Sequence, residues 1–288
     1  MIGKIVTTIS ATLLAALVIY VYEMANPPHV VVFTAPTLQG VVEEVAESYP
    51  GRLDSRVLGS VLAASLIRAG QKPDLFLTVD HELAAGLEGY RHEILLGRYR
   101  LQLVCRREVM DWRQAVATRS IGLSDPNTAP IGYRAIAAIY LIDRYEKLGI
   151  ADDVMRMLNI ELSQEGGMIY LDAADIRPSG RFHLRRDLSE VGALLEAGVV
   201  DCIFAHAPYV YTRKLDERFR IFEMPWYAQF LDDPPVRVVA RIVGGREIVV
   251  GRFVASAISF TEKGDLLLSK IQAMNLTKYQ ILPIDDGA

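Results

Sequence analysis

Hydroxyl side chains stand at the head of four apolar repeats. Thr37 precedes LQGVVEEV, Ser60 precedes VLAASLIR, Thr128 lies two residues before Pro130 and the repeat that begins at Ile131, and Ser189 precedes EVGALLEAG. Ser and Thr are favoured N-caps, so capping alone accounts for any one of them. Together they allow another chemistry. A helix start carries N–H groups with no partner inside the helix and the positive end of the helix dipole, and a hydroxyl adds a further donor. Several such starts facing one point hold an anion without any Lys or Arg. In SDPNTAPIGYRAIAAIYLIDRY, residues 124–145, Pro130 takes the first helical position, where its missing N–H costs nothing. The N–H groups of Ile131, Gly132 and Tyr133 then point out of the helix end.

The elements that must position these donors alternate strand and helix from Val30 onward, which predicts an α/β fold with a largely parallel sheet. VVVFTA, SRVLGS, PDLFLTV, LQLVCR, TRSIGLS and VVDCIFA read as strands, and VRVVARIVGGREIVVGRFVASAISF reads as antiparallel strands around a Gly-Gly turn before a last helix, DLLLSKIQAM. In open α/β folds ligands lie beyond the carboxyl ends of the strands, where the following helices begin, so the four starts can converge on one cleft. YRLQLVCRRE leads out of a first half and RFRIFEMPWYAQF leads back. That layout predicts two lobes, residues 29–103 plus 225–288 and residues 104–224, with a small-molecule cleft between them.

The remaining features bound the function. A formal charge of -4 on 288 residues, with arginines spread along the chain, leaves no basic surface for nucleic acid. No Gly-x-Ser-x-Gly elbow, His-Glu-x-x-His pair or Gly-rich phosphate loop occurs, so no enzyme is expected. Ile5–Tyr22 is an uncharged apolar run of membrane-spanning length with Lys4 before it. We read residues 1–25 as an N-terminal anchor or signal segment, with an uncleaved transmembrane helix preferred and the bulk of the chain outside the cell membrane. Cys105 and Cys202 each sit in a buried-strand pattern and read as two core thiols, with pairing as the alternative. Asp80, His81 and Glu82 follow a strand end, match no metal spacing and read as a solvated face, and Asp125 reads as a turn residue.

SDPNTAPIGYRA resembles the Asn-Pro-(x)2-Asp-Pro-x-Gly-Tyr-Arg segment of the archaeal molybdate/tungstate-binding proteins, the extracytoplasmic solute receptors of ABC transporters. VFTAPTLQGVVEEVAESY, VLGSVLAASLIRAGQKPDLFLTVDHEL and RRDLSEVGALLEAGVVDCIFAHAPYVY resemble further segments of that family. The resemblance implies a two-lobed periplasmic-binding-protein fold of type II, an oxyanion held between the lobes and a permease as partner, with no other cofactor. It places the anion-binding hydroxyls on Thr37 and Ser60. The family's Asp falls on Ala129, its Glu on Leu188 and its last Tyr on His206, so the two carboxylates that approach the metal centre of the oxyanion are absent. His206 would replace the Tyr as a donor to the ligand. Arg134 and Arg185 match family arginines and read as structural. The alternative is a receptor-like fold that no longer binds an oxyanion and serves as a structural or sensory partner.

Overall fold

The computed structural model describes residues 29–284. The apolar run at 5–22, and the anchor read from it, lie outside the described residues. Among the described residues no helix is long and apolar enough to cross a membrane.

Strand β1 (His29–Thr34) passes through a 3-10 turn (Pro36–Leu38) into helix α1 (Gln39–Glu47). Strand β2 (Arg52–Val57), helix α2 (Ser60–Arg68) and strand β3 (Leu75–Thr78) follow, and a second 3-10 turn (His81–Ala84) leads to β4 (His92–Tyr99). After the single residue Arg100 the chain becomes β5 (Leu101–Cys105), then α3 (Trp112–Thr118), β6 (Ile121–Ser124), α4 (Pro130–Glu146) and α5 (Ala151–Leu158). Strands β7 (Glu161–Glu165) and β8 (Met168–Asp172) form a hairpin. Its two-residue turn, Gly166-Gly167, has both φ values positive, as a tight hairpin turn requires. Next come β9 (Phe182–Arg185), α6 (Leu188–Glu196), β10 (Cys202–His206), the short α7 (Ala207–Thr212) and β11 (Arg220–Glu223). The return consists of β12 (Val238–Ile242), β13 (Arg246–Val249), β14 (Phe253–Ser259) and α8 (Glu262–Gln272).

These strands make three sheets in the orders β2-β1-β3-β14-β4, β11-β5-β10-β6-β9 and β13-β12-β8-β7. The expected parallel character holds only for part of each large sheet. β1 pairs parallel with β2 and β3, and β6 pairs parallel with β9 and β10, but β14 runs antiparallel to β3 and β4, and β5 antiparallel to β10 and β11. Helical crossovers impose the parallel direction, and β4, β5, β11 and β14 are the strands by which the chain leaves one sheet and enters another without one. The Gly-Gly turn read in the sequence joins β12 to β13 in an antiparallel pair. Those strands form the third sheet with β7 and β8, through a parallel β8–β12 ladder.

Helix α4 is buried on every side from Pro130 to Ile142, as its all-round apolar sequence requires. Each fully buried Ile at 136, 139 and 142 contributes about 1.5–3 kcal/mol. Cys105 and Cys202 are fully buried as expected, but they are not free thiols. β5 and β10 place them directly opposite each other, Cα atoms 4.1 Å apart, and the sulfurs are bonded. Residues 97 apart in sequence meet because their strands are antiparallel partners.

Candidate functional site

The four helix starts are real, but their hydroxyls do not cap them. The cap position is Ala35 for the 3-10 turn that leads into α1, whose own cap is Leu38, and it is Gly59, Ala129 and Asp187 for α2, α4 and α6. Thr37 therefore lies inside the 3-10 turn, Ser60 is the first residue of α2, Thr128 lies before the cap, and Ser189 is inside α6. The apolar periodicity located the helices; each cap is displaced by one or two residues, because a buried hydroxyl can find a partner away from its own helix end. Ser60 Oγ accepts the Val79 N–H at 3.2 Å, and the Thr128 hydroxyl donates to the carbonyl oxygens of Asp125 and Arg186. Asp187, not Ser189, closes α6, its carboxylate accepting the N–H groups of Ser189 and Glu190 at 3.0 and 3.2 Å.

The starts of α2 and α4 touch. The Leu62 N–H donates to Thr128 O across 3.1 Å, and a Cβ added at Gly59 would lie 2.4 Å from that oxygen and 3.2 Å from the Ala129 Cβ. Only glycine permits this approach. At Gly132 an added Cβ would meet Ser124 O at 2.4 Å, so the loop before α4 folds tightly over the helix start. On the other side, Thr37 Oγ1 lies 2.6 Å from His206 Nδ1 at the start of α7, and α6 packs against the Pro36–Leu38 turn. Thr37, Ser60, Ala129, Ile131, Gly132, Leu188 and His206 are all buried.

Behind these residues lies a polar cluster that the sequence did not announce. Asp80 accepts from the Tyr133 hydroxyl at 2.6 Å and from Arg134 Nη1 at 2.8 Å, and both ends of the ion pair are 1% exposed. Asp80 is therefore not on a solvated face. Arg134 also donates to Gly251 O at 2.9 Å and Arg252 O at 3.3 Å, and its guanidinium sits 4.4 Å over the Phe253 ring. Burial works against the charge of Arg134, but Asp80, helped by Tyr133, outweighs it and holds the guanidinium above its usual range. Burial, and secondly Asp80, pushes the Tyr133 phenol well up, so it remains a donor. Tyr99 donates to Val79 O and meets both His206 and Phe253 ring to ring. Arg185, by contrast, is exposed, and its guanidinium donates to the Leu184 carbonyl. Among the described residues no group of three or more His, Cys, Asp or Glu is placed to hold a metal.

His206 is fully buried, and burial, with Arg134 second, pushes its pKa well below the ordinary value. The ring is neutral at pH 7. Among the described residues its Nε2 has no hydrogen-bond partner. If the Thr37 hydroxyl donates to Nδ1, Nε2 carries the proton and is a spare donor; if Nδ1–H donates to Thr37, the hydroxyl proton is spare. In either tautomer the pair keeps one donor over. A surface groove of about 860 Å³ is lined by the His81–Leu87 segment, Tyr90, Glu93, Leu95 and 246–248, and by none of these residues. It is not part of this cluster.

Sequence reading missed Asp80, Tyr99, Tyr133 and Arg134 as one unit. A usable signal was present: Asp80 follows the apolar strand PDLFLTV, at the carboxyl end where clefts form, and Tyr133-Arg134 opens a helix that is otherwise apolar.

The fold has many solved counterparts. The periplasmic molybdate-binding protein of Azotobacter vinelandii superposes with a TM-score of 0.62 at 13% identity, covering 89% of this chain and 100% of its own. The substrate-binding domain assigned to a molybdenum ABC transporter of Clostridium difficile gives 0.51 at 12% identity, over 89% and 99%. The periplasmic binding protein AfuA of Actinobacillus pleuropneumoniae, with fructose-6-phosphate bound, gives 0.52 at 9% identity, over 89% and 84%. At these identities the likeness is one of fold, and that fold is the periplasmic-binding-protein type. No family model and no curated protein matches the sequence.

Proposed function

We propose that this chain is the extracytoplasmic substrate-binding component of an ABC transporter, and that it holds a small oxyanion of the molybdate or tungstate kind between the touching starts of α2 and α4 and the Thr37–His206 pair. The observation that carries the reading is the Thr37–His206 pair, buried in a neutral state with one donor to spare. Buried donors are almost always satisfied, and an anion satisfies this one. The N–H groups at the start of α4 add to it. We place the lobes at 29–103 plus 225–288 and 104–224, around the two large sheets, with β5 (Leu101–Cys105) straddling the boundary and β12–β13 pairing with β7–β8 of the other lobe. A permease would receive the anion, and the N-terminal segment would keep the protein at the membrane.

Calorimetry with molybdate, tungstate, sulfate and phosphate tests this reading. Thr37→Ala and Ser60→Ala should each weaken binding of the preferred anion by about 1.5–3 kcal/mol, the range for a hydrogen bond to a charged group. Neither residue caps its helix, but Ser60→Ala also leaves the buried Val79 N–H without its acceptor and costs stability, so affinity is weighed against stability on Thr37→Ala. A stability loss there as large as the affinity loss, or unchanged affinity, would show that the hydroxyl serves packing alone.

The topology has its own check. With Lys4 leading the apolar run, everything after about Met24 should lie outside. Protease added to intact cells should then degrade the folded part, and full protection would overturn the placement.

A second reading, a receptor-like fold acting as a structural or sensory partner, is favoured by one specific observation. The protein itself fills two of the helix starts, Thr128 O at α2 and the Asp187 carboxylate at α6. No binding of any of the four anions would favour it.

A further inference from the structure

We infer that Asp80, Tyr133 and Arg134 form a latch that holds the two halves of the molecule together, and that it sets how far the cleft between them opens. The inference rests on the layout of the sheets and not on the identity of a ligand. Asp80 follows β3 of the first sheet, and Gly251 and Arg252 lead into β14 of the same sheet, whereas Tyr133 and Arg134 belong to α4, which follows β6 of the second. All four side-chain bonds from these two α4 residues to their partners, at 2.6, 2.8, 2.9 and 3.3 Å, therefore cross from one half to the other.

The position of this contact decides what it controls. Asp80 is the residue after Val79, whose N–H binds Ser60 Oγ and whose carbonyl binds Tyr99. Tyr133 and Arg134 lie one turn after Ala129, the cap of α4. The latch thus fixes the start of α4 against the start of α2, where Leu62 N–H meets Thr128 O.

Thr37–His206 and Leu62 N–H to Thr128 O also cross between the halves, each as a single bond that can part with the latch, but the link through the third sheet is of a different kind. The second connection carries β12, which pairs with β8, an excursion from the second half, and Asn127 ties the loop before α4 to that sheet through Val243 N–H and the carbonyl oxygens of Ala173 and Ala174. A continuous backbone ladder of this sort persists through a rotation. A side-chain ion pair can part and be solvated. Opening therefore proceeds by release of Asp80 from α4 while the third sheet stays paired. An ion pair buried on both sides gains little over water when closed, which suits a contact that must break and reform. The fraction of molecules closed scales the apparent affinity of any ligand of the cleft directly.

Amide hydrogen exchange on the full-length chain tests this without a ligand. In Asp80→Asn, which keeps the shape and the Glu82 N–H acceptor but removes the charge, the Leu62 amide should exchange at least tenfold faster. Amides within β1 and β3 and within β5 and β10 should stay within about twofold of wild type. Tyr133→Phe, which removes the hydroxyl's bonds to Asp80 and Arg134 but keeps the ion pair, should act in the same direction with a smaller factor. If Asp80→Asn fails to fold, the pattern in Tyr133→Phe decides in the same terms. Unchanged exchange at Leu62, or acceleration there matched by both sheets, would overturn the proposal, because the cluster would then hold the fold as a whole. Calorimetry on the wild type judges the anion reading separately, so either can fail alone.

Discussion

Replacing Cys105 and Cys202 together by alanine should lower the free energy of unfolding by about 2–5 kcal/mol, the usual loss for a native disulfide. The bond closes a loop across 97 residues of sequence separation, and a loop of about 100 residues lies at the upper end of the chain-entropy effect, near 4.7 kcal/mol. It joins β5, which carries the chain into the second sheet, to the central strand β10, so the loss should fall mainly on that half. Urea unfolding of the wild type and the double variant reads the difference directly. A loss under about 1 kcal/mol would mean that the ladder around the cysteines holds the half without the bond. The disulfide also bears on location. Such bonds persist in oxidising compartments and are rare in the cytosol, which supports the proposed extracytoplasmic placement.

How far the sequence could be read follows from what each feature depends on. Strands and helices with strong apolar periodicity were legible, including β1, α1, α4 and β10, because periodicity is local. Strand direction was legible where a helix intervenes and around the Gly-Gly turn, where the segment holding β14 reads as antiparallel; β5, read only as one strand of a largely parallel sheet, runs antiparallel to β10 and β11. The hairpin β7–β8, with its largely exposed first strand, has no apolar alternation to betray it and was missed. The disulfide and the Asp80–Arg134 pair depend on which strands and helices become neighbours across many residues, and nothing in the local pattern of LQLVC or LTVD states that. The candidate site was legible as a set of helix starts and as hydroxyl positions. Its wiring was not, since Thr37 binds His206, 169 residues away, instead of its own helix end.

Ala129→Asp combined with Leu188→Glu should abolish any binding of sulfate or phosphate while leaving or improving that of tungstate. Ala129 occupies the cap position of α4 with no side-chain bond to the helix, so an Asp there supplies a missing cap, worth about 0.5–2 kcal/mol, and folding should survive. That same carboxylate competes with the anion for the N–H groups of the helix start. It also brings a like charge within a few ångströms of the ligand, a repulsion of about 4 kcal/mol at 4 Å with an effective dielectric near 20. Such a penalty corresponds to roughly a thousandfold loss of affinity. Leu188, 2% exposed at the head of α6 and beside the Asp187 carboxylate, adds a second charge from another helix start of the same half. Sulfate and phosphate have no means of accepting a carboxylate oxygen as a further ligand, whereas a molybdate or tungstate centre that expands its coordination turns the repulsion into a bond. Calorimetry of the wild type and the double variant against all four anions separates these cases. A double variant that binds every anion as the wild type does would place the ligand away from the starts of α4 and α6, and the spare donor of the Thr37–His206 pair would then need another partner.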